Sequence, residues 1–150
     1  MKATYLLIAL LTIVCAACDE SEPQSMPSAE QRALDANLAL WQRSNIPNYQ
    51  YTFQMQCFCV PGDDTVVIVA NRQVSQAFRT PSGVYLTPQE LTGMYTIEGL
   101  FAKVQEAIDQ RVYSLRVTYD AQYGFPNSIS IDRDRNIADE EVTYTARDFQ

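Results

Sequence analysis

Apolar and polar side chains alternate most cleanly where Tyr49, Tyr51, Phe53, Met55, Cys57 and Cys59 interleave with Gln50, Thr52, Gln54 and Gln56. A two-residue period of this length predicts a strand with one face on a core and the other in water. A Pro61-Gly62-Asp63-Asp64 turn follows, and residues 66–70 and 74–78 around Asn71-Arg72-Gln73 predict a hairpin. The same alternation returns at Tyr113, Leu115, Val117 and Tyr119, at Ile129 and Ile131, and at Val142, Tyr144 and Ala146. These predict three more strands, with Tyr123-Gly124-Phe125-Pro126 as a turn between the first two.

Between the strands the period changes. Leu34, Leu38 and Trp41 fall at i, i+4 and i+7, and Ser28-x-x-Gln31 reads as a capping box. A helix from about 29 to 43 is expected, ended by residues 45–48 with Pro47. Thr87-Pro88-Gln89-Glu90 opens a short helix that Gly93 limits. A longer one is expected from 97 to about 111, with Ile97, Leu100, Phe101, Val104 and Ile108 inward. The fold class is therefore α+β: a mostly antiparallel sheet of about six strands with two main helices on one face. Residues 29–150 form one globular domain in this reading, and the similar order of its halves suggests an αβββ duplication.

The first eighteen residues carry the firmest functional signal. Lys2 precedes an apolar run over residues 5–14 broken only by Thr12, and Cys15-Ala16-Ala17-Cys18 follows. The run is shorter than the ~20 residues that span a bilayer and matches the core of a secretory signal. Small residues before a cysteine are the layout of a bacterial lipobox. Residues 1–17 are thus expected to be a signal peptide, Cys18 the lipidated residue and residues 18–28 a tether. Cys15 stands where leucine is usual, so plain secretory cleavage is the second reading and a retained anchor the third. One acyl chain binds a membrane only marginally, and mature bacterial lipoproteins carry several. The expected address is the cell envelope. Asp19, just after the cysteine, resembles the inner-membrane retention signal of enteric bacteria.

Charge narrows the partners. Removing Lys2 with the leader leaves ten basic residues against 18 acidic ones, a net charge of −8. Nucleic acid, which needs clustered lysine and arginine, is not expected. Neither is contact with anionic headgroups beyond the acyl chains. Histidine is absent, which removes the usual general base and the commonest zinc ligand. No catalytic constellation or cofactor is expected; an enzyme built on carboxylates alone is a distant third possibility.

Three features could carry chemistry. If Cys15 leaves with the leader and Cys18 is lipidated, Cys57 and Cys59 remain in a compartment that favours disulfides. In a regular strand their Cα atoms lie ~6.6 Å apart, at the upper end of disulfide geometry, so a bridge needs the bend that Val60-Pro61-Gly62 could supply. A structural disulfide, a reducible redox pair, and a soft copper(I) site with Met55 all stay open. Asp132, Asp134 and Asn136, with Asp139, Glu140 and Glu141, alternate oxygens as calcium sites do. The sixth place is Ile137 rather than glycine and the twelfth is Thr143 rather than glutamate, so an acidic turn is expected and calcium is the alternative. Last, Tyr49, Tyr51, Tyr113, Tyr119, Tyr123 and Tyr144 suit sheet packing, or a groove for peptide or glycan.

Several segments resemble a family of small bacterial lipoproteins carrying a domain of unknown function. They are Trp41, Asn48-Tyr49-Gln50-Tyr51, Cys57-Phe58-Cys59, Thr96-Ile97-Glu98-Gly99-Leu100-Phe101 and Val117-Thr118-Tyr119-Asp120. Tyr123-Gly124-Phe125-Pro126, Ile129-Ser130-Ile131-Asp132 and Asp139-Glu140-Glu141 complete the set. The resemblance spans about residues 37–149 and implies placement, an exported domain with a Cys-x-Cys element, without substrate or catalytic residues. The expected function is a non-enzymatic, lipid-anchored envelope protein whose sheet binds or modulates an envelope protein or glycan. The alternative is a thiol-redox or copper-handling protein using Cys57 and Cys59.

Overall fold

The computed structural model describes residues 27–58, 62–137 and 139–150; the expected leader, Cys18 and Cys59 lie outside the described residues. Helix α1 (Ala29–Ser44) starts where the Ser28 hydroxyl accepts the Gln31 N–H at 3.1 Å. Only that half of the expected capping box forms. The Gln31 amide instead exchanges hydrogen bonds with Gln105, both at 2.9 Å, and so ties α1 to a later helix. Asn45, in the left-handed region at φ 48°, closes α1 by returning its N–H to the Gln42 carbonyl.

Three strands follow: β1 (Tyr49–Cys57), β2 (Thr65–Ala70) and β3 (Gln73–Arg79). Asn71 and Arg72 both take positive φ, the backbone of a two-residue hairpin, so Gln73 belongs to β3. Asn48 and Pro47 hold this turn by accepting the N–H groups of Asn71 and Arg72, each at 2.8 Å. Helix α2 (Pro88–Leu91) has a complete capping box between Thr87 and Glu90. Helix α3 (Ile97–Asp109) and strands β4 (Ser114–Tyr119), β5 (Pro126–Asp132) and β6 (Val142–Arg147) end the chain.

All six strands lie in one antiparallel sheet ordered β3-β2-β1-β6-β5-β4. Its centre is the β1–β6 pair, with Phe53 opposite Ala146 and Met55 opposite Tyr144. This order corrects the duplication reading. Equivalent strands of the two halves stand three places apart and therefore run in opposite directions. Overlaying the halves would need a rotation that carries the helix to the other face, whereas α1 and α3 share one core on one face.

That core joins Leu34 and Trp41 of α1, Ile97, Leu100, Phe101, Val104 and Ala107 of α3, and the inward strand positions. Ala107 takes the fully buried place expected for Ile108, which is only half-buried. Tyr113 precedes β4 and is 58 % exposed, so it is no inward strand residue. The other sheet face bears no helix among the described residues. There Gln54, Thr145, Ser128 and Thr118 form a polar row across β1, β6, β5 and β4. Thr52 is the buried exception, set between Val66 and Arg147 in the adjoining row.

Candidate functional site

Four of the segments singled out in the sequence converge on the N-terminus of α3. Glu98, in its first turn, accepts the Trp41 indole N–H at 3.1 Å on Oε1 and the Tyr49 hydroxyl at 3.3 Å on Oε2. Arg72, from the β2–β3 turn, donates to the same carboxylate at 3.4 Å and to Asn45 at 2.7 Å. The Tyr49 oxygen also accepts the Ile97 N–H at 2.8 Å, and the Tyr51 hydroxyl donates to the Tyr95 carbonyl at 2.5 Å. Orphan N–H groups of a helix start are thus satisfied by a phenol and by Thr96, and an acid sits where the helix dipole favours it. Burial pushes both phenols well above the ordinary tyrosine range. The rings of Trp41, Tyr49, Tyr123 and Phe125 pack around Phe149, at 5.0–5.7 Å between centroids. This arrangement locks α1, β1, the hairpin and α3 together, and its chemistry is structural.

Sequence reasoning did not single out Glu98 as a hub. An acid in the first turn of a helix is ordinary capping chemistry, so no local signal marks it.

Cys57 is the last residue of β1, half-buried on the face of Phe53 and Met55, opposite Val142. Its expected companion Cys59, with Val60 and Pro61, lies outside the described residues. In the β5–β6 loop the Asp134 carboxylate accepts the backbone N–H of Asn136 at 2.9 Å and its side-chain amide at 3.0 Å. That oxygen closes an Asx turn, and Asp132 lies back in β5. Among the described residues no three acidic or cysteine side chains gather closely enough to hold a metal ion. Of the tyrosines, Tyr49, Tyr51 and Tyr144 are buried in the core, while Tyr119 and Tyr123 pack at its rim.

The two sheet edges differ. Beside β3, Tyr85 makes a β-bridge to Phe78, Val84 accepts the Arg79 N–H, and Leu86 donates to Ala77. β4 has no strand on its outer side among the described residues. Between this edge and the start of α1 runs a cleft of about 390 Å³, with Ala33, Val104, Leu115, Val117 and Tyr119 in its walls. A second cleft of about 570 Å³ continues past Arg111 and Val112 to Pro27.

The fold and these surfaces define a two-layer α+β domain, with helices on one face of an antiparallel sheet and, among the described residues, no strand beyond β4. The chain belongs to a family of unknown function (DUF6174), whose model matches residues 33–150. No curated protein matches the chain.

Proposed function

We propose that this chain is a lipid-anchored protein of the bacterial envelope, acylated at Cys18, whose domain binds or modulates another envelope component without chemistry of its own. The observation that carries the reading is the leader ending in Cys15-Ala16-Ala17-Cys18, with helix α1 beginning eleven positions past Cys18. The lipid supplies the membrane attachment in this reading; among the described residues no helix is long and apolar enough to cross a membrane. The β4 edge, without a further strand among the described residues, and the polar sheet face offer surface for a protein or glycan partner. Cys57 and Cys59 form an intramolecular disulfide in this reading.

Metabolic labelling with an alkyne fatty acid tests the anchor. Label is expected on the wild type and absent from Cys18→Ala, which leaves the membrane fraction. Equal labelling of both would end the proposal. A second reading, thiol-redox or copper handling, draws on Met55 and Cys57 sharing one half-buried face. Alkylation with and without reductant, followed by copper(I) titration, separates the two. A pair that resists mild reductant and takes no copper leaves only the first.

A further inference from the structure

Among the described residues, strand β4 is held on one side only. The Tyr113 N–H bonds the Arg133 carbonyl, and in an antiparallel ladder bonded and non-bonded pairs alternate. Leu115 and Val117 therefore face β5 through their backbone, whereas Ser114, Arg116 and Thr118 turn their N–H and C=O groups to the free edge. Such a row is a template for another strand. The side chains of Leu115, Val117 and Tyr119 point to the core face yet stay half-buried, because the cleft beside α1 leaves them uncovered.

Charge identifies the occupant. Arg116 lines this cleft and Arg111 the one that continues it; both are exposed, and neither forms an ion pair among the described residues. The one acid in its wall, Glu30, is exposed, and its carboxyl is held below the usual range by its own backbone N–H and by Ser28, so it stays ionised and offsets one of the two arginines. Among the described residues the two arginines against Glu30 leave one positive charge in excess at this edge of an acidic protein. A second copy paired strand to strand about Arg116 would set two guanidinium groups against each other, which disfavours self-association.

We propose that the free edge of β4 takes an extended acidic segment of another envelope protein as a seventh strand, its alternate apolar side chains entering the cleft beside Ala33 and its carboxylates meeting Arg116 and Arg111. This deepens the binding role proposed above and rests on it. Main-chain bonds supply affinity in such strand addition, and the alternate side chains supply choice.

The purified full-length exported protein, in detergent, is titrated with a labelled decapeptide of alternating valine and glutamate, and with its valine–lysine counterpart. Saturable binding of the glutamate peptide is expected, at least tenfold tighter than the lysine peptide. Arg116→Glu and Ala33→Trp should each weaken it at least tenfold, with melting curves reporting whether each variant folds. Bound peptide should slow hydrogen exchange at the N–H groups of Arg116 and Thr118 in the wild type. The proposal is overturned if the glutamate peptide does not bind, or if both peptides bind alike. It is equally overturned if the two N–H groups stay unprotected, if the chain dimerises through β4, or if binding appears only after residues 19–26 are deleted. The intact mass of the same sample reads lipidation at Cys18, so loss of the anchor reading and loss of the strand site are seen separately.

Discussion

The phenol of Tyr49 and the carboxylate of Glu98 meet at 3.3 Å, and the same phenol oxygen receives the Ile97 N–H at 2.8 Å. One side chain at the head of β1 thereby caps the helix that covers the sheet, while its neighbour Trp41 shares the carboxylate.

Glu98→Ala leaves the Trp41 and Tyr49 donors without their acceptor in a part-buried setting. An unmade bond of this kind costs about 1–3 kcal/mol. Urea unfolding should show a loss in that range, and a double-mutant cycle with Tyr49→Phe should show coupling between the two. Additive losses would mean that the contact carries no stability of its own.

Gly124→Ala should be far worse than Gly83→Ala. Both glycines have positive φ, 78° and 71°, but a Cβ on Gly124 would stand 2.6 Å from the Asn37 carbonyl oxygen, while one on Gly83 meets open space. Gly83→Ala is expected to cost about 1–2 kcal/mol from backbone strain alone. Gly124→Ala must also push α1 off the β4–β5 turn. Equal melting temperatures for the two variants would refute this.

Trp41→Ala removes the largest fully buried side chain. The expected loss is about 3–5 kcal/mol, as for other large aromatic residues cut from a core. A loss below 1 kcal/mol in chemical denaturation would show that the aromatic cluster is not the heart of the fold.

Stability should fall on the alkaline side. Burial pushes the Tyr119 hydroxyl up to about 12, and Tyr49 and Tyr51 higher still. The folded state favours the neutral phenols, so their contribution is complete below the unfolded value of about 10 and is lost as pH rises from there through 12. Tyr119→Phe should flatten the decline between about pH 10 and 12, read by unfolding midpoints. An unchanged slope would remove Tyr119 from the account.

Acid weakens a different place. The Thr87 backbone N–H, with Arg79 beside it, holds the Glu90 carboxyl down to about 2. Its contribution is present above the ordinary carboxyl value of about 4.5 and is lost as pH falls from there toward 2. Glu90 is at the surface, so the effect is small and local. Hydrogen exchange at the start of α2 should quicken across that window in the wild type and be pH-flat in Glu90→Gln.

Much of the fold was legible because its signals are local. The alternation from Tyr49 to Cys57 named both the strand and its buried face, and Thr87-Pro88-Gln89-Glu90 named a capped helix that forms as written. Errors arose where one residue had two possible partners. Gln31 could cap its own helix or pair with Gln105, 74 positions away, and it pairs with Gln105. Tyr113 continued the alternation on paper, yet no neighbouring layer reaches it. The candidate surface was less legible still, because an edge strand reads like any other until its neighbours are known.

By itself the sequence determined the element order, most inward strand positions, the Thr87–Glu90 cap, and an apolar run over residues 5–14 followed by Cys15-Ala16-Ala17-Cys18. These follow from periods of two and 3.6 residues and from residue types with fixed backbone preferences. Only the tertiary structure decided that β1 pairs with β6, which rules out a simple repeat of halves, that Trp41, Tyr49 and Arg72 converge on Glu98, and that β4 is the last strand of the sheet among the described residues. Strand neighbours far apart in the chain are chosen by how the whole set of apolar faces can be buried at once. No short stretch of residues carries that information.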